Sequence, residues 1–308
     1  MTTNAIQSSH IYSTYFAPRG RSRIYTLGMQ IAQLYLSPFD QIIGFIGEAG
    51  SGKSVLIKGM FPGIELTNDD DGVNVRPLPL LEQEYETGFF TPHTYHLDIR
   101  FETGFHQLSE LADAVRLAVR RGKRIIIEHF DLIYPLLGVN ANLLIGVGEQ
   151  IVITRPNLFG PLPQDLCEIV YPSLAYRLMA HSAEDLCEYA MTQEQMLACS
   201  HGDIRHGFVL EFNEHQPDID IPTLEARVNE LIRQDLPIDY YDESHILLGG
   251  AQHYCTGPRT HVRSTGRIIG FRLLDHFIYD HFHKTYMLVG CVGDDSEENI
   301  RKLEKIHG

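Results

Sequence analysis

Apolar positions along the chain follow two spacings, one typical of short buried strands and the other typical of amphipathic helices. Runs such as 41–46 and Arg124–Glu128 predict buried strands. Residues 108–121 carry apolar side chains three and four positions apart, which predicts a helix with one buried face. By the same criteria, strands are predicted at 11–17, 94–101 and 150–154, and helices at 23–36, 55–60 and 135–145. Strands and helices in this order predict an α/β fold with a mostly parallel sheet covered by helices.

The pattern changes after the Pro- and Gly-rich stretch 155–164, which is the predicted domain boundary. Beyond it, helices are predicted at 173–190 and 222–234 and a strand at 207–212, followed by Gly-rich mixed segments. We therefore predict two domains, residues 1–165 and residues 166–308. The order of helices and strands in the second domain predicts an α+β arrangement.

Composition narrows the classes of protein that fit this pattern. The net charge of −15 disfavours nonspecific binding to nucleic acid or to an anionic membrane surface. No run of about 18 apolar residues occurs, and the N-terminus lacks a secretory-signal pattern, so we expect a cytoplasmic protein without a membrane partner. The five cysteines form no CxxC pair, which argues against a disulfide framework. The oligomeric state is not indicated.

The most informative motif follows the predicted strand 41–46 and opens the predicted helix 55–60. It matches the pattern GxxxxGK[ST], in which glycines let backbone N–H groups surround phosphates, the lysine neutralises the β- and γ-phosphates, and the hydroxyl binds Mg²⁺. The alternative is an ordinary Gly-rich turn. The motif resembles that of P-loop NTPases and kinases, which implies binding of ATP with Mg²⁺. Its residues are Gly47, Glu48, Ala49, Gly50, Ser51, Gly52, Lys53 and Ser54.

Phosphoryl transfer also needs an acidic side chain near the metal ion. Glu128, at the end of the predicted strand Arg124–Glu128, is our first choice for the metal-binding or water-orienting role, and Asp131 is the second. Asp70 lies in an acidic run after the P-loop helix, where small-molecule kinases often place a group that activates the acceptor. A solvated carboxylate is the alternative for each of them.

A second motif lies near the C-terminus, where residues 255–266 read CTGPRTHVRSTG. It resembles the C-G-G-T-H-V-x-x-T-G signature of the second additional domain of alanyl-tRNA synthetase, which also occurs in freestanding alanyl-tRNA editing proteins. Residues 177–183 resemble the start of the family's His-containing helix, and 224–237 its E-x-x-V-N helix. The resemblance covers roughly residues 168–275 in three separate blocks.

In that family two His from the helix, together with Cys and His from the later motif, bind zinc. The resemblance therefore implies a zinc site at His181, Asp185, Cys255 and His261. Asp185 stands at the second His position, and two residues are inserted between Cys255 and His261, so a metal-free descendant is the alternative. Beside this motif lies a local basic group that we interpret as an anion-binding site, or as partners for nearby carboxylates. It comprises Arg259, Arg263 and Arg267.

Three functions are compatible with these features. The first is an ATP-dependent phosphotransferase or NTP hydrolase whose second domain recognises a small anionic, aminoacyl or nucleoside acceptor. The second is an aminoacyl-tRNA editing hydrolase that binds the tRNA acceptor end and is regulated by nucleotide. The third is a nucleotide-switched sensor or binding protein. ATP is preferred to GTP because no guanine-selecting N/T-K-x-D motif occurs in residues 1–165.

Overall fold

The computed structural model describes residues 12–66, 79–82, 93–213 and 215–307. Within this part of the chain, residues 12–15 and 22–172 form one compact unit, and residues 16–21 and 173–307 form a second. Helices and strands alternate in the first unit, so the expected α/β class is confirmed at the level of a mixed α/β fold. None of the described helices has the length and apolar character needed to cross a membrane.

A six-stranded mixed sheet organises the first unit, with the strand order β1-β6-β5-β2-β4-β3. Strand β2 is parallel to both β4 and β5, and β3 is parallel to β4. Strand β6 is antiparallel to β5, because only Gly148 and Glu149 separate them, a linker that is too short for a parallel crossover. The strands are β1 Tyr12–Phe16, β2 Ile42–Ile46, β3 Thr94–Asp98, β4 Arg124–Glu128, β5 Leu143–Val147 and β6 Gln150–Thr154.

The central strands are buried along their whole length because their residues are almost all apolar. Helix α5 likewise forms where the sequence predicts it. It buries Leu111, Val115 and Ala118, which lie on one face at helical spacing. The described helices before residue 138 are α1 Arg21–Tyr35, α2 Lys53–Met60, α3 Pro79–Glu82, α4 Ile99–Glu102, α5 Leu108–Arg120 and α6 Phe130–Leu137.

The helix predicted at 135–145 is wrong. Helix α6 begins at Phe130 and ends before Gly138, which adopts the left-handed conformation with φ of 69°. The apolar run that follows is the buried strand β5, not a helical face. The predicted strand 94–101 also ends early, because the Asp98 side chain caps the short helix α4.

The second unit combines helices with two antiparallel sheets. One sheet has the order β11-β10-β9, and in the other the path β12-β14-β8-β7 is joined by β13, which pairs with β14. The long helix α7 contains the boundary between the units, after Pro172. The elements are α7 Pro163–Ala190, α8 Gln193–Ala198, β7 Cys199–Ile204, β8 Gly207–Asn213, α9 Ile221–Arg233, β9 Ile238–Asp242, β10 His245–Leu248, β11 Ala251–Tyr254, a 3₁₀ turn Thr265–Arg267, β12 Arg272–Leu273, β13 Ile278–Asp280, β14 Thr285–Cys291 and α10 Ser296–His307.

Candidate functional site

Residues 47–54 form the turn between strand β2 and helix α2. Gly47 has φ of 155°, and a Cβ there would lie 2.5 Å from the carbonyl oxygen of Val147. Gly52, immediately before helix α2, is left-handed with φ of 88°. Both conformations are rare for residues with a side chain, so the glycines of the motif are needed for the shape of the turn.

The Lys53 side chain folds back into this turn. Its Nζ donates hydrogen bonds of 2.9 Å to the carbonyl oxygens of Gly47 and Glu48, and lies 3.8 Å from Glu128 Oε2. Only 4% of the side chain is exposed. Burial lowers the pKa of Lys53, although the nearby carboxylates of Glu128 and Asp98 act in the opposite direction. The turn thus contains a buried amino group held by groups that only accept hydrogen bonds.

Glu128 joins this group from the end of strand β4. Its Oε1 accepts hydrogen bonds of 3.1 Å from Ser54 Oγ and from His96 Nε2, which must carry a proton because a carboxylate only accepts. Burial raises the pKa of Glu128, but His96 and Lys53 outweigh it, so the pKa lies below its usual value. An ionised carboxylate therefore lies against the Ser54 hydroxyl at the start of helix α2.

Of the other two predicted acidic residues, the structure describes Asp131, which has a hydrogen-bond partner outside this cluster. Asp131 Oδ2 accepts a 3.1 Å hydrogen bond from the Tyr171 hydroxyl, and burial raises the pKa of this carboxyl group. In the described part of the chain, no hydrogen bond or ion pair joins Asp131 to Lys53, Ser54 or Glu128. Asp70 lies outside the described residues.

Two neighbours of the turn were not assigned a role from the sequence. Arg100 forms a bidentate ion pair with the motif residue Glu48, with N–O distances of 2.7 and 3.2 Å. Asp98 lies level with Glu128 in the parallel pairing of β3 and β4, and burial followed by Glu128 raises its pKa. Their positions in the sequence could have indicated this. Both follow or end strand β3, and parallel neighbouring strands end at the same edge of a sheet.

In the second unit, the four residues predicted as zinc ligands lie together. His181 and Asp185 are one turn apart on helix α7, while Cys255 and His261 follow strand β11. Their donor atoms all lie within 4.8 Å of one another. Cys255 Sγ is 3.5 Å from His181 Nε2 and 3.7 Å from His261 Nε2, and His261 Nε2 is 2.8 Å from Asp185 Oδ2.

Backbone carbonyls orient both imidazoles toward the centre of this cluster. His181 Nδ1 lies 3.1 Å from the Thr260 carbonyl oxygen and 2.8 Å from its hydroxyl, and His261 Nδ1 lies 3.3 Å from the Pro258 carbonyl. Because a carbonyl only accepts, His181 Nδ1 carries a proton, and its neutral ring presents the Nε2 lone pair. His261 Nε2 donates to the Asp185 carboxylate, so an ion bound at this nitrogen would have to replace that proton. Burial, followed by His261, lowers the pKa of His181 and keeps that ring neutral.

The ligand types suit a tetrahedral zinc ion, and two of their separations match one, although the 2.8 Å hydrogen bond between His261 and Asp185 would have to open. Typical Zn–S and Zn–N bond lengths place the sulfur and nitrogen ligands of one ion about 3.6 Å apart, which the two Cys255–His distances of 3.5 and 3.7 Å match. Asp185 stays ionised because His181 and His261 outweigh the effect of burial and hold its pKa below the usual range. Burial and Asp185 raise the pKa of the Cys255 thiol, so ion binding must displace its proton.

The three predicted anion-binding arginines are exposed. The Arg259 guanidinium lies 4.4 Å from the centre of the Tyr240 ring, a cation–π contact. Arg263 and Arg267 follow His261 toward the 3₁₀ turn. Their exposure leaves them accessible to an anion, but it does not indicate that one binds.

Comparison with known proteins identifies no family. No family model and no curated protein matches the chain. Among solved structures, the chain is similar to an amino transferase from Eubacterium rectale at 12% identity, with a TM-score of 0.23 over 100% of this chain and 76% of that one. A likeness at this level carries no argument about fold or function.

Proposed function

We propose that this chain binds ATP with Mg²⁺ and acts as an NTP-dependent phosphotransferase or ATPase. The observation that carries the proposal is the convergence of Lys53, Ser54 and Glu128 at one end of helix α2. An amino group, a hydroxyl and an ionised carboxylate are the three side-chain groups that a P-loop site requires.

Each group has a definite task in this proposal. Lys53 exchanges the carbonyl oxygens of Gly47 and Glu48 for the β- and γ-phosphate oxygens, which are stronger acceptors because they are charged. The hydroxyl of Ser54 and the carboxylate of Glu128 hold Mg²⁺, and His96 orients that carboxylate. The bound ion would neutralise charge on the phosphates. Asp131 remains the alternative for the metal-binding or water-orienting role, and Asp70 the candidate for activating the acceptor.

The arrangement of the first unit supports a P-loop NTPase-like sheet within the mixed fold. Strands β5, β2, β4 and β3 are parallel neighbours, and the phosphate-binding turn follows the carboxyl end of β2. Ligands of open α/β sheets bind at this edge, outside the carboxyl ends of the strands. The antiparallel strand β6 lies beyond β5 and leaves this edge of β2 unchanged.

Replacing Lys53 by Ala tests nucleotide binding directly. We expect the affinity for ATP–Mg²⁺ to fall about 100-fold, because hydrogen bonds to charged groups contribute up to about 3 kcal/mol. Thermal-shift titration with ATP and GTP measures both the loss and the base preference. Lys58→Ala, in the same helix, is the matched control. Equal ATP binding by Lys53→Ala and the natural protein would refute the proposal.

Nucleotide binding leaves open how the phosphate energy is used, and a substrate screen separates the alternatives. A phosphotransferase should release ADP faster when its acceptor is added. ADP release that nucleosides, amino acids and tRNA all leave unchanged would contradict the transferase and favour an ATPase. Tight ATP binding without turnover would favour the nucleotide-switched binding protein.

A second candidate function rests on a separate observation, the four zinc-type donors in the second unit. We propose that His181, Asp185, Cys255 and His261 hold zinc, and that this unit acts on an aminoacyl ester at a tRNA acceptor end, as its resemblance to the alanyl-tRNA editing domain implies. Zinc bound there would supply a Lewis acid or fix the pocket. The arginines Arg259, Arg263 and Arg267 are the proposed phosphate contacts.

Metal analysis and deacylation assays test this second function. We expect one zinc per chain at this cluster and hydrolysis of mischarged Ala-tRNA species. His261→Asn should lose both the ion and the hydrolysis, whereas Lys53→Ala should keep the ion. A natural protein that neither retains zinc nor deacylates any such tRNA would exclude the editing function.

A further inference from the structure

A second set of metal-type donors adjoins the four residues discussed above. Glu188 on helix α7 and Cys199 and His201 on strand β7 offer a carboxylate oxygen, a sulfur and a ring nitrogen within 4.8 Å of one another. Successive side chains of a strand point to opposite faces, so Cys199 and His201 share one face. A helix and a strand therefore direct three different donor types to one point.

One of the separations between these donors is that expected of two ligands of one metal ion. Cys199 Sγ lies 3.5 Å from Glu188 Oε1, near the separation of about 3.6 Å expected for the sulfur and oxygen ligands of one tetrahedral zinc ion. The same carboxylate oxygen is hydrogen-bonded to His201 Nε2. Ion binding at these donors would replace the proton of this hydrogen bond and open it.

An independent observation points to a ligand at Glu188. The His253 side chain is only 7% exposed, and its Nε2 has no hydrogen-bond partner among the described residues. Buried polar atoms are almost always paired, so this nitrogen requires an explanation. It lies 3.9 Å from Glu188 Oε2, on the opposite carboxylate oxygen from the one that faces Cys199 and His201.

We propose that Glu188, Cys199 and His201 form a second binding site for a zinc-class divalent cation, with His253 as a further donor beside it. The site shares no ligand with the first cluster and requires neither proposed function. Sulfur and imidazole donors favour zinc over magnesium or calcium. The His201 side chain is 29% exposed, which gives the ion access from solvent and leaves room for a water ligand.

Metal titration of the full chain tests the proposal. The protein is stripped with a chelator and titrated with Co²⁺ and then Zn²⁺, while the near-ultraviolet absorbance of thiolate bound to cobalt is recorded. The natural protein should bind two equivalents of metal ion, one at each cluster. Both are visible in the absorbance because each cluster contains one cysteine. The double variant Cys199→Ser/His201→Gln should bind one, and His261→Asn should bind one through the other cluster.

Controls separate this site from the first cluster and from misfolding. Cys291→Ser changes a buried thiol outside both clusters, and His283→Gln changes an exposed imidazole, so both variants should bind two equivalents. If the double variant fails to fold, His201→Gln alone answers the question, because β7 is an edge strand and the side chain is partly exposed. It should weaken the second equivalent at least about 10-fold.

Two results would overturn the proposal. In the first, the natural protein binds only one metal ion per chain, and Cys199→Ser/His201→Gln binds one as well. In the second, the natural protein and this variant both bind two. If the natural protein binds one metal ion, the double variant binds none and His261→Asn still binds one, the result would support the second site and refute the zinc proposed at the first.

Discussion

The two candidate sites are built in opposite ways. In the first unit, the turn around Lys53 contains a buried amino group, which suits the anion that we propose there. In the second unit, the cluster around Cys255 contains two imidazoles, a thiol and a carboxylate, which suit the cation that we propose there. Without a ligand, Lys53 donates to loop carbonyls and lies beside Glu128, and Asp185 accepts a hydrogen bond from His261.

The two sites also differ in how far apart their residues lie in the sequence. All eight motif positions around Lys53 are contiguous in the sequence, and Glu128 joins them from the end of strand β4. The second cluster draws His181 and Asp185 from one helix and the other two ligands from a segment about 70 residues later. The turn of the first site is therefore local and strand β4 adds its carboxylate, whereas the second cluster forms only when helix α7 packs against the segment after β11.

The largest effect is expected for Glu128→Gln, which keeps the shape of the side chain and removes its charge. Loss of a carboxylate that orients the metal ion or the attacking group should lower ATP turnover by about 10²–10⁴-fold. Steady-state ADP release at saturating ATP measures it. Glu102→Gln is a control, since Glu102 is also buried but pairs with His106. If Glu128→Gln turns over ATP at the natural rate, Glu128 does not have this role, and Asp131 and Asp70 become the candidates for the acidic group.

The next largest effect should follow from Cys255→Ser, which tests whether the second cluster is a cation site. Replacing the thiol by a hydroxyl removes the soft ligand and should lower zinc affinity by more than about 100-fold, beyond the usual cost of an outer-sphere change. Competition with a chromogenic chelator measures the affinity. ATP affinity should not change, because Lys53 and Ser54 belong to the first unit. Unaltered zinc binding would show that the cluster is held by hydrogen bonds alone.

These two predictions depend on sequence information of different kinds. The shape of the turn at residues 47–54 was predictable because its eight residues are contiguous and its glycines adopt conformations that other residues rarely adopt. Glu128 was predictable because it ends an apolar strand. The position of His181 near Cys255 was expected only through a family resemblance, since periodicity and composition contain nothing about packing between them. Cys199 and His201 had no such resemblance and were not predicted.

The errors in the fold have a similar cause. The interval 135–145 was predicted as a helix from its apolar pattern. Apolar runs of this length do not separate a buried strand from a buried helix. Gly138 and the burial of β5 between β2 and β6 decide the outcome, and the second of these depends on the complete sheet. The reversal of β6, by contrast, follows from a linker of only two residues.

A smaller effect is expected for Thr260→Val, which sharpens the role of outer contacts at the cation site. The variant removes the hydroxyl that accepts from His181 Nδ1 but leaves the Thr260 carbonyl in place. Zinc affinity should therefore fall by about 10-fold, the lower end for the loss of an outer-sphere partner. The same chelator competition measures it, with the exposed neighbour Thr256→Val as control. A loss as large as that of Cys255→Ser would mean that the ring orientation itself had collapsed.

The smallest effect is expected for Glu48→Gln, which tests whether side chains or backbone shape the anion site. Glu48 pairs with Arg100, but both side chains are more than 40% exposed, and such ion pairs contribute at most about 1 kcal/mol. We therefore expect the free energy of unfolding to change by less than about 1 kcal/mol in urea denaturation. Asp113→Asn, which breaks the exposed pair with Arg116, should have an effect of similar size.

The ATP affinity of Glu48→Gln shows whether the Glu48–Arg100 ion pair contributes to the anion site. If the turn is shaped by Gly47 and Gly52, releasing Arg100 from Glu48 should change ATP affinity less than about threefold, because the backbone donors stay in place. A tenfold gain would instead mean that Glu48 withholds Arg100 from the phosphates. A tenfold loss would mean that the ion pair holds the turn open for the ligand. Either result would add Arg100 to the distant residues, such as Glu128, on which the first site depends.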